Sequence, residues 1–423
     1  MNATNQSKLT KYLTLIILGF AGGSIYAFPY MKYVFYDPMI NTLGITNGQA
    51  GFLLSMYAIG CMILYIPGGI LADKISPKKA LIFSLLGTTL LTVLFALTFN
   101  YKVSMMIWLL LAFSSGFVFW SALLKAIRMI GTEEEQGRLY GIYYASNGIT
   151  AALVNYVSLK VFSNFTDEKT GFFWAMIVMA VFTGVVSLLL LFFMKEDETR
   201  TSLAATAAAD KFHFADVSGV LKNPTVWIIS ILFFCTYGIY TSTSYFTPYL
   251  TDVMNVSVES AGIFGIIRTY VFMLVAPISG YIADKFFKST LKWFVAGFIL
   301  FICSMGSILA AGTTSNVLFI SFLTLLPGLF SLALYNIMFS IMSEVKLPIK
   351  TAGTAIGIAS ICGYAPDLFL NTIFGNFLDK HGNSGYTMIF GTLVGFCVLS
   401  IVICIYLYKA KVSHASDVSG GQQ

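Results

Sequence analysis

Of the 423 residues in this chain, 57% are hydrophobic and only 10% are charged, where soluble domains average roughly 25% charged. The net charge of +6, from 25 Lys and Arg against 19 Asp and Glu, is too dilute for a polyanion-binding footprint. Composition therefore excludes a soluble enzyme and a nucleic-acid binder, and apolar runs without strict alternation exclude a β-barrel.

A spanning helix takes about 20 apolar residues, so twelve of them consume roughly 240 and leave little for an extramembrane domain. Apolar runs punctuated by charge, Pro and Gly predict twelve spans. The first six cover about 12–36, 48–71, 80–99, 103–127, 139–163 and 171–194. The second six cover about 224–250, 258–283, 290–311, 315–343, 351–378 and 385–408. The first run is too long for a signal-peptide core and has no convincing cleavage site. These lengths predict an N-terminal six-helix bundle over 1–194, a cytoplasmic linker over 195–223, and a C-terminal six-helix bundle with a short tail over 224–423. The linker is Ala/Thr-rich from Thr201 to Ala209 and reads as a short amphipathic segment from Phe212 to Leu221.

Nineteen of the 25 basic residues fall on one side of these spans, four on the other, and Lys32 and Arg268 within them. The positive-inside rule then puts both termini in the cytoplasm. The six cysteines lie in apolar runs with no CxxC pair, which reads as small buried hydrophobes rather than a disulfide or metal set.

Half the chain later, the sequence repeats. Ala50-Gly51-Phe52 recurs as Ala261-Gly262-Ile263, and Gly69 with Leu71-Ala72-Asp73-Lys74 recurs as Gly280 with Ile282-Ala283-Asp284-Lys285, all at one spacing of 211 residues. A shared spacing held from the start of a span to the loop after it implies duplication of a six-helix unit.

The loop after the second span reads Gly69-Ile70-Leu71-Ala72-Asp73-Lys74-Ile75-Ser76-Pro77-Lys78-Lys79. It resembles the signature loop of the Major Facilitator Superfamily, with Ser76-Pro77 in place of the usual Gly and basic residue. Gly22-Gly23-Ser24-Ile25-Tyr26, Thr46-Asn47-Gly48-Gln49, Gln136-Gly137-Arg138-Leu139-Tyr140-Gly141 and Gly363-Tyr364-Ala365-Pro366 are similar to the YihN-type branch of bacterial permeases. The resemblance implies two pseudo-symmetric six-helix bundles, alternating access and a bacterial inner membrane. It names no substrate. From the residues alone, Asp73 amid Lys74 and Lys78, with its duplicate Asp284, is a candidate gate: a carboxylate at a helix end whose contacts differ between conformations biases their equilibrium.

Ionisable groups within spans cost about 2.5–3.5 kcal/mol each on insertion scales and are site candidates for that reason. Three stand out: Lys32 just after Pro29, Arg268 near the middle of the eighth span, and Asp367 near the middle of the eleventh. Lys32 either snorkels or faces the interior; Asp367 either pairs with Arg268 or carries a proton. Polar stripes at helical spacing predict a cavity lined by Tyr26, Asn147, Tyr237, Tyr240 and Tyr364, with Tyr144, Asn155 and Asn371 on the same faces.

Two cations against one carboxylate favour a small organic anion, gripped by Arg268 with Lys32 assisting. The alternatives are a proton-coupled transporter of a neutral sugar or drug-like compound and, in another class, a membrane-embedded enzyme or sensor. Against the enzyme, the three histidines are scattered outside the spans, and there is neither a Walker loop nor a nucleophile–base pair. The sequence implies no cofactor or metal, and as partners the lipid bilayer, a small solute, protons or a counter-substrate, with a monomer as the working state. Single cysteines placed near Asn41, Asn100 and Thr313 should label from outside intact cells. Labelling of a cysteine within 195–222 by the same impermeant reagent would reverse the topology.

Overall fold

A computed structural model of the chain describes residues 8–130, 135–194, 221–311, 316–345 and 358–420. It falls into two compact units, Met1–Asp210 and Lys211–Gln423. The first holds α1 (Lys8–Ile25), α2 (Tyr36–Leu43), α3 (Asn47–Lys74), α4 (Pro77–Thr98), α5 (Tyr101–Leu111), α6 (Phe119–Ile130), α7 (Gln136–Ser163) and α8 (Glu168–Phe193). In the second are α9 (Pro224–Ser242), α10 (Phe246–Asp252), α11 (Val258–Thr269), α12 (Ala276–Tyr281), α13 (Thr290–Ala311), α14 (Val317–Leu323), α15 (Leu325–Tyr335), α16 (Ser340–Glu344), α17 (Pro366–His381) and α18 (Ser384–Gly420). Residues 358–364 are also helical.

Among the described residues, nine helical stretches are long and apolar enough to cross a membrane. The three expected spans that fall short are informative. The first is cut at Ile25, leaving Thr10–Ile25 as a shorter apolar helix; the fifth, α7, is long but rich in Tyr, Asn and Ser; the eleventh is described as 358–364 and α17.

Prolines explain most of the interruptions. A proline lacks an N–H, and its ring collides with the carbonyl four residues earlier. Pro29 lies four residues after the last residue of α1, and Pro327 four after the last residue of α14. Pro248 lies four after Ser244, inside the 3-10 turn Thr243–Tyr245; Pro277 lies four after Met273, inside the 3-10 turn Val271–Val275. The expected continuous helix over 12–36 is thereby corrected to α1, a short turn at Met31–Tyr33, and α2.

Helix starts echo the duplication. Thr46 closes a capping box on α3, and Ser257 caps α11 by accepting from Ser260 N. Ser76 and Ser289 accept from Lys79 N and Lys292 N at the starts of α4 and α13, and Asn100 and Asn316 cap α5 and α14. Ser76-Pro77, which departs from the usual signature loop, serves as cap and first-turn proline of α4. Asp167 caps α8, and its hydrogen bonds from the Thr170 hydroxyl and then the Thr170 N–H hold its carboxyl below the usual carboxylate range. A lowered pKa favours the fold above the ordinary carboxylate range, and that contribution fades as pH falls through the lowered value.

In the first unit, α1 packs on α7 and α4 on α8. Leu15, Leu18 and Ile25 of α1 bury against Phe119, Leu123 and Ile127 of α6 and Tyr143 of α7. Within the second unit, α13 and α9 both pack on α18. Four cysteines are buried as expected, but Cys303 is exposed and Cys362 partly so; all six are free thiols.

Among the described glycines of the first unit the closest approach is at Gly68 of α3, where an added Cβ would lie 1.6 Å from the Phe117 carbonyl oxygen. Phe117 ends the π-helical turn Ala112–Phe117 that interrupts the fourth span. Gly68→Ala is expected to destabilise by about 1–3 kcal/mol as an overpacking change. The control is Gly141→Ala, where a Cβ meets nothing within 4 Å. Equal melting temperatures of the two purified variants would refute the close contact.

Candidate functional site

The second unit buries a charge. Arg268 is the penultimate residue of α11, at the edge of an interruption rather than in mid-helix as its place in the span suggested. Its side chain is 1% exposed. Nη2 donates to Thr247 Oγ1 at 2.9 Å and Nη1 to Thr324 Oγ1 at a long 3.4 Å, while the guanidinium carbon lies 5.3 Å from the Phe246 ring centroid. Nε is buried with no hydrogen-bond partner among the described residues. Phe246 and Thr247 follow the turn before α10, and Thr324 sits between α14 and α15. Three helix interruptions thus converge on one guanidinium.

No ion pair joins Arg268 to Asp367 among the described residues. Asp367, at the start of α17, instead accepts from Tyr237 Oη at 2.5 Å, Thr241 Oγ1 at 2.9 Å and Asn371 Nδ2 at 3.4 Å. Around it stand four tyrosines. Tyr237 meets Tyr364 edge-on at 4.7 Å between centroids, and Tyr240 stacks on Tyr335 at 4.5 Å with their planes within 6°. Tyr335 was not among the residues singled out from sequence, nor were Thr241, Thr247, Phe246 and Thr324. Each sits next to an interruption or on a helix face whose partner is distant in sequence.

In the first unit, Lys32 lies in the turn Met31–Tyr33 and is 2% exposed, so it does not snorkel. Its ammonium sits 6.0 Å from the Tyr36 ring centroid, and Tyr36 donates to Asn47 Oδ1. Tyr26 donates to the Ser115 carbonyl at 3.4 Å; the Tyr57 and Ser115 hydroxyls are 2.8 Å apart. Asn147 donates to Tyr143 Oη at 3.0 Å. Two members of the expected stripe on α7 behave differently: Tyr144 is half exposed, and Asn155 is fully buried and bonds back to the Ala151 carbonyl, a packing role.

At the 211-residue spacing, Tyr26 corresponds to Tyr237, Tyr36 to Thr247 and Tyr57 to Arg268. Tyr26 is partly buried and the other five are buried, and only one copy carries a charge at the position of Arg268.

Of the candidate gate, the side chains of Asp73 and Lys74 and the whole of 195–220 lie outside the described residues. Lys78 falls in the first turn of α4. Asp284 is exposed in the π-helical turn Ile282–Phe287 and lines a cavity of about 280 Å³ with Thr290, Asn336 and Ser340. Nearby, Glu344 accepts from Ser289 Oγ at 2.6 Å, Leu291 N at 3.1 Å and Lys411 Nζ at 2.9 Å, tying α16 to the start of α13 and to α18.

Residues 13–370 match the family model described as Major Facilitator Superfamily. The inner membrane proteins YihN and YqcE of Escherichia coli K12 are each 28% identical, over 94% and 87% of this chain and 96% and 88% of their own. At 22–23% identity the chain also matches the "Probable sulfoacetate transporter SauU" of Cupriavidus necator (84% of each chain) and the "Glycerol-3-phosphate transporter" of Bacillus subtilis (92% and 89%). A solved structure of a bacterial homologue of the human lysosomal transporter Spinster, inward-facing and unoccupied, superposes with a TM-score of 0.69 at 14% identity, covering 99% of both chains. The chain is a multi-pass membrane protein and belongs to the Major Facilitator Superfamily.

Proposed function

We propose that this chain carries a small organic anion across a bacterial inner membrane by alternating access, with Arg268 as the anion-binding group. One observation carries the reading: a guanidinium 1% exposed, held by two neutral hydroxyls and a ring, with Nε unpartnered among the described residues. A buried charge without a counter-charge costs several kcal/mol, and an incoming anion removes that cost. The names of the sulfoacetate and glycerol-3-phosphate transporters lend support, since both describe anions. The chemistry fits a sugar acid, a sulfonated sugar or a simple carboxylate. Within the second unit Tyr237, Tyr240 and Tyr364 supply hydroxyl contacts, and the candidate polar groups of the first unit are Lys32, Tyr26 and Asn147. Both termini are cytoplasmic in this reading, with Asp73, Lys74 and Lys78, and in the duplicate Asp284, acting at the gate.

The competing reading has Arg268 and Asp367 neutralising each other around an uncharged substrate. Against it stands the set of neutral donors that already engages both Asp367 oxygens. Arg268→Gln should abolish anion binding, and Arg268→Lys should weaken it at least about tenfold, because an ammonium cannot reproduce a planar two-point grip. Arg268→Gln combined with Asp367→Asn should stay inactive in a proteoliposome uptake assay without ATP. Recovery in that double variant would establish the neutralising pair instead.

The gate yields a separate outcome. Asp73→Asn should slow transport far more than it weakens binding, since it alters the balance between conformations and not the Arg268 pocket. Equal transport rates at equal expression would reduce Asp73 to a topology charge.

A further inference from the structure

We propose that Gly328 is a positioning residue that lays Arg268 along α15 and turns the Nε edge of the guanidinium to the ligand. The anion is then taken side-on, by a group that offers two oxygens in one plane, as carboxylate and sulfonate do. This rests on the reading of Arg268 as the anion-binding group.

The geometry starts from the backbone. Pro327 forces the chain to restart at Leu325, and Gly328 follows it in the first turn of α15. A Cβ at Gly328 would lie 2.2 Å from Arg268 Cγ, 2.8 Å from Cδ and 3.3 Å from Cβ. The whole aliphatic stem of Arg268 therefore occupies the space that any other residue at 328 would fill. With the stem fixed there, the two terminal nitrogens each find one threonine: Nη2 meets Thr247 and Nη1 meets Thr324.

A guanidinium has five N–H donors in a rigid fork. Two are engaged, one on each terminal nitrogen. The remaining terminal hydrogens and the Nε hydrogen stay available, and Nε is the nitrogen without a partner among the described residues. A planar fork meets a carboxylate best through two parallel N–H···O bonds. Because both terminal nitrogens are tied to threonines, the pair that includes Nε is the one left to complete. A halide, with one contact point, gains only half of this arrangement.

The test uses the purified full chain and measures binding of sulfoacetate, gluconate and glycerol 3-phosphate by calorimetry, with chloride as the one-point comparison. At least one of the three should bind the wild type, and chloride should not compete at equal concentration. Gly328→Ala should weaken that binding at least about tenfold, because it displaces a bidentate partner. In an Arg268→Ala background, which removes the stem beyond Cβ, it should lower the melting temperature less than in the wild type, since residues in contact are non-additive.

If Arg268→Gln loses binding while Gly328→Ala binds like the wild type, the positioning role is wrong and the Arg268 reading survives. An equal drop in melting temperature from Gly328→Ala in the wild-type and Arg268→Ala backgrounds would make Gly328 a general packing residue and overturn the proposal. Failure of all three anions to bind the wild type would overturn both readings. Should Gly328→Ala not fold, the near-isosteric pair Thr247→Val with Thr324→Val tests the same restraint. It should weaken binding about tenfold and let chloride compete; wild-type affinity and selectivity would overturn the side-on grip.

Discussion

Inside a lipid bilayer every backbone N–H and C=O must find a partner within the protein, so a helix is interrupted only where protein surrounds the break. In this chain that constraint meets a set of prolines. Pro29, Pro248, Pro277 and Pro327 each lie four residues after a helix end or a residue inside a 3-10 turn. The second unit places Arg268, Thr247 and Thr324 beside three of those four breaks. Arg268, Thr247 and Thr324 are themselves buried, although the turn Val271–Val275 next to Arg268 has no buried residue. Packing, not propensity, decides where the charge sits.

The duplicated architecture makes the chemistry of the two units directly comparable. The capping residues Thr46 and Ser257, or Asn100 and Asn316, perform one task twice. Interior positions have diverged: a tyrosine hydroxyl at Tyr57 hydrogen-bonds Ser115, whereas its counterpart Arg268 brings a full charge to two threonines. Caps answer to backbone geometry, which both copies share. Buried polar groups are not bound by that geometry and are free to differ.

Much of this was legible without coordinates. Composition and apolar run length specify a polytopic helical protein, and the 211-residue spacing specifies its duplication. Arg268, Lys32 and Asp367 were visible as charges in apolar runs. What was not legible is the company each keeps. Lys32 looked able to reach the interface because residues 12–36 read as one helix, while the interruption after Ile25 folds it inward. Arg268 and Asp367 looked like natural partners by charge alone, but each is engaged by neutral hydroxyls of its own, Thr247 and Thr324 on the one and Tyr237 and Thr241 on the other. Thr247 and Thr324 carried no sequence signal except a proline one and three residues later, which in retrospect marks the breaks they occupy. Gly328 offered still less, since its meaning lies in a side chain 60 positions away.

The proline breaks also set a trade between durability and work. Replacing Pro327 with a residue that has an N–H would let the helix run on past Leu323, regaining a backbone hydrogen bond and lowering the folding free energy. The same change would alter the backbone between Thr324, which bonds Arg268, and Gly328, against which the Arg268 stem lies. Stabilising substitutions at the prolines would therefore act on the same segments that carry Arg268, Thr247 and Thr324. Local stability given up in this way is the general cost of an irregular backbone.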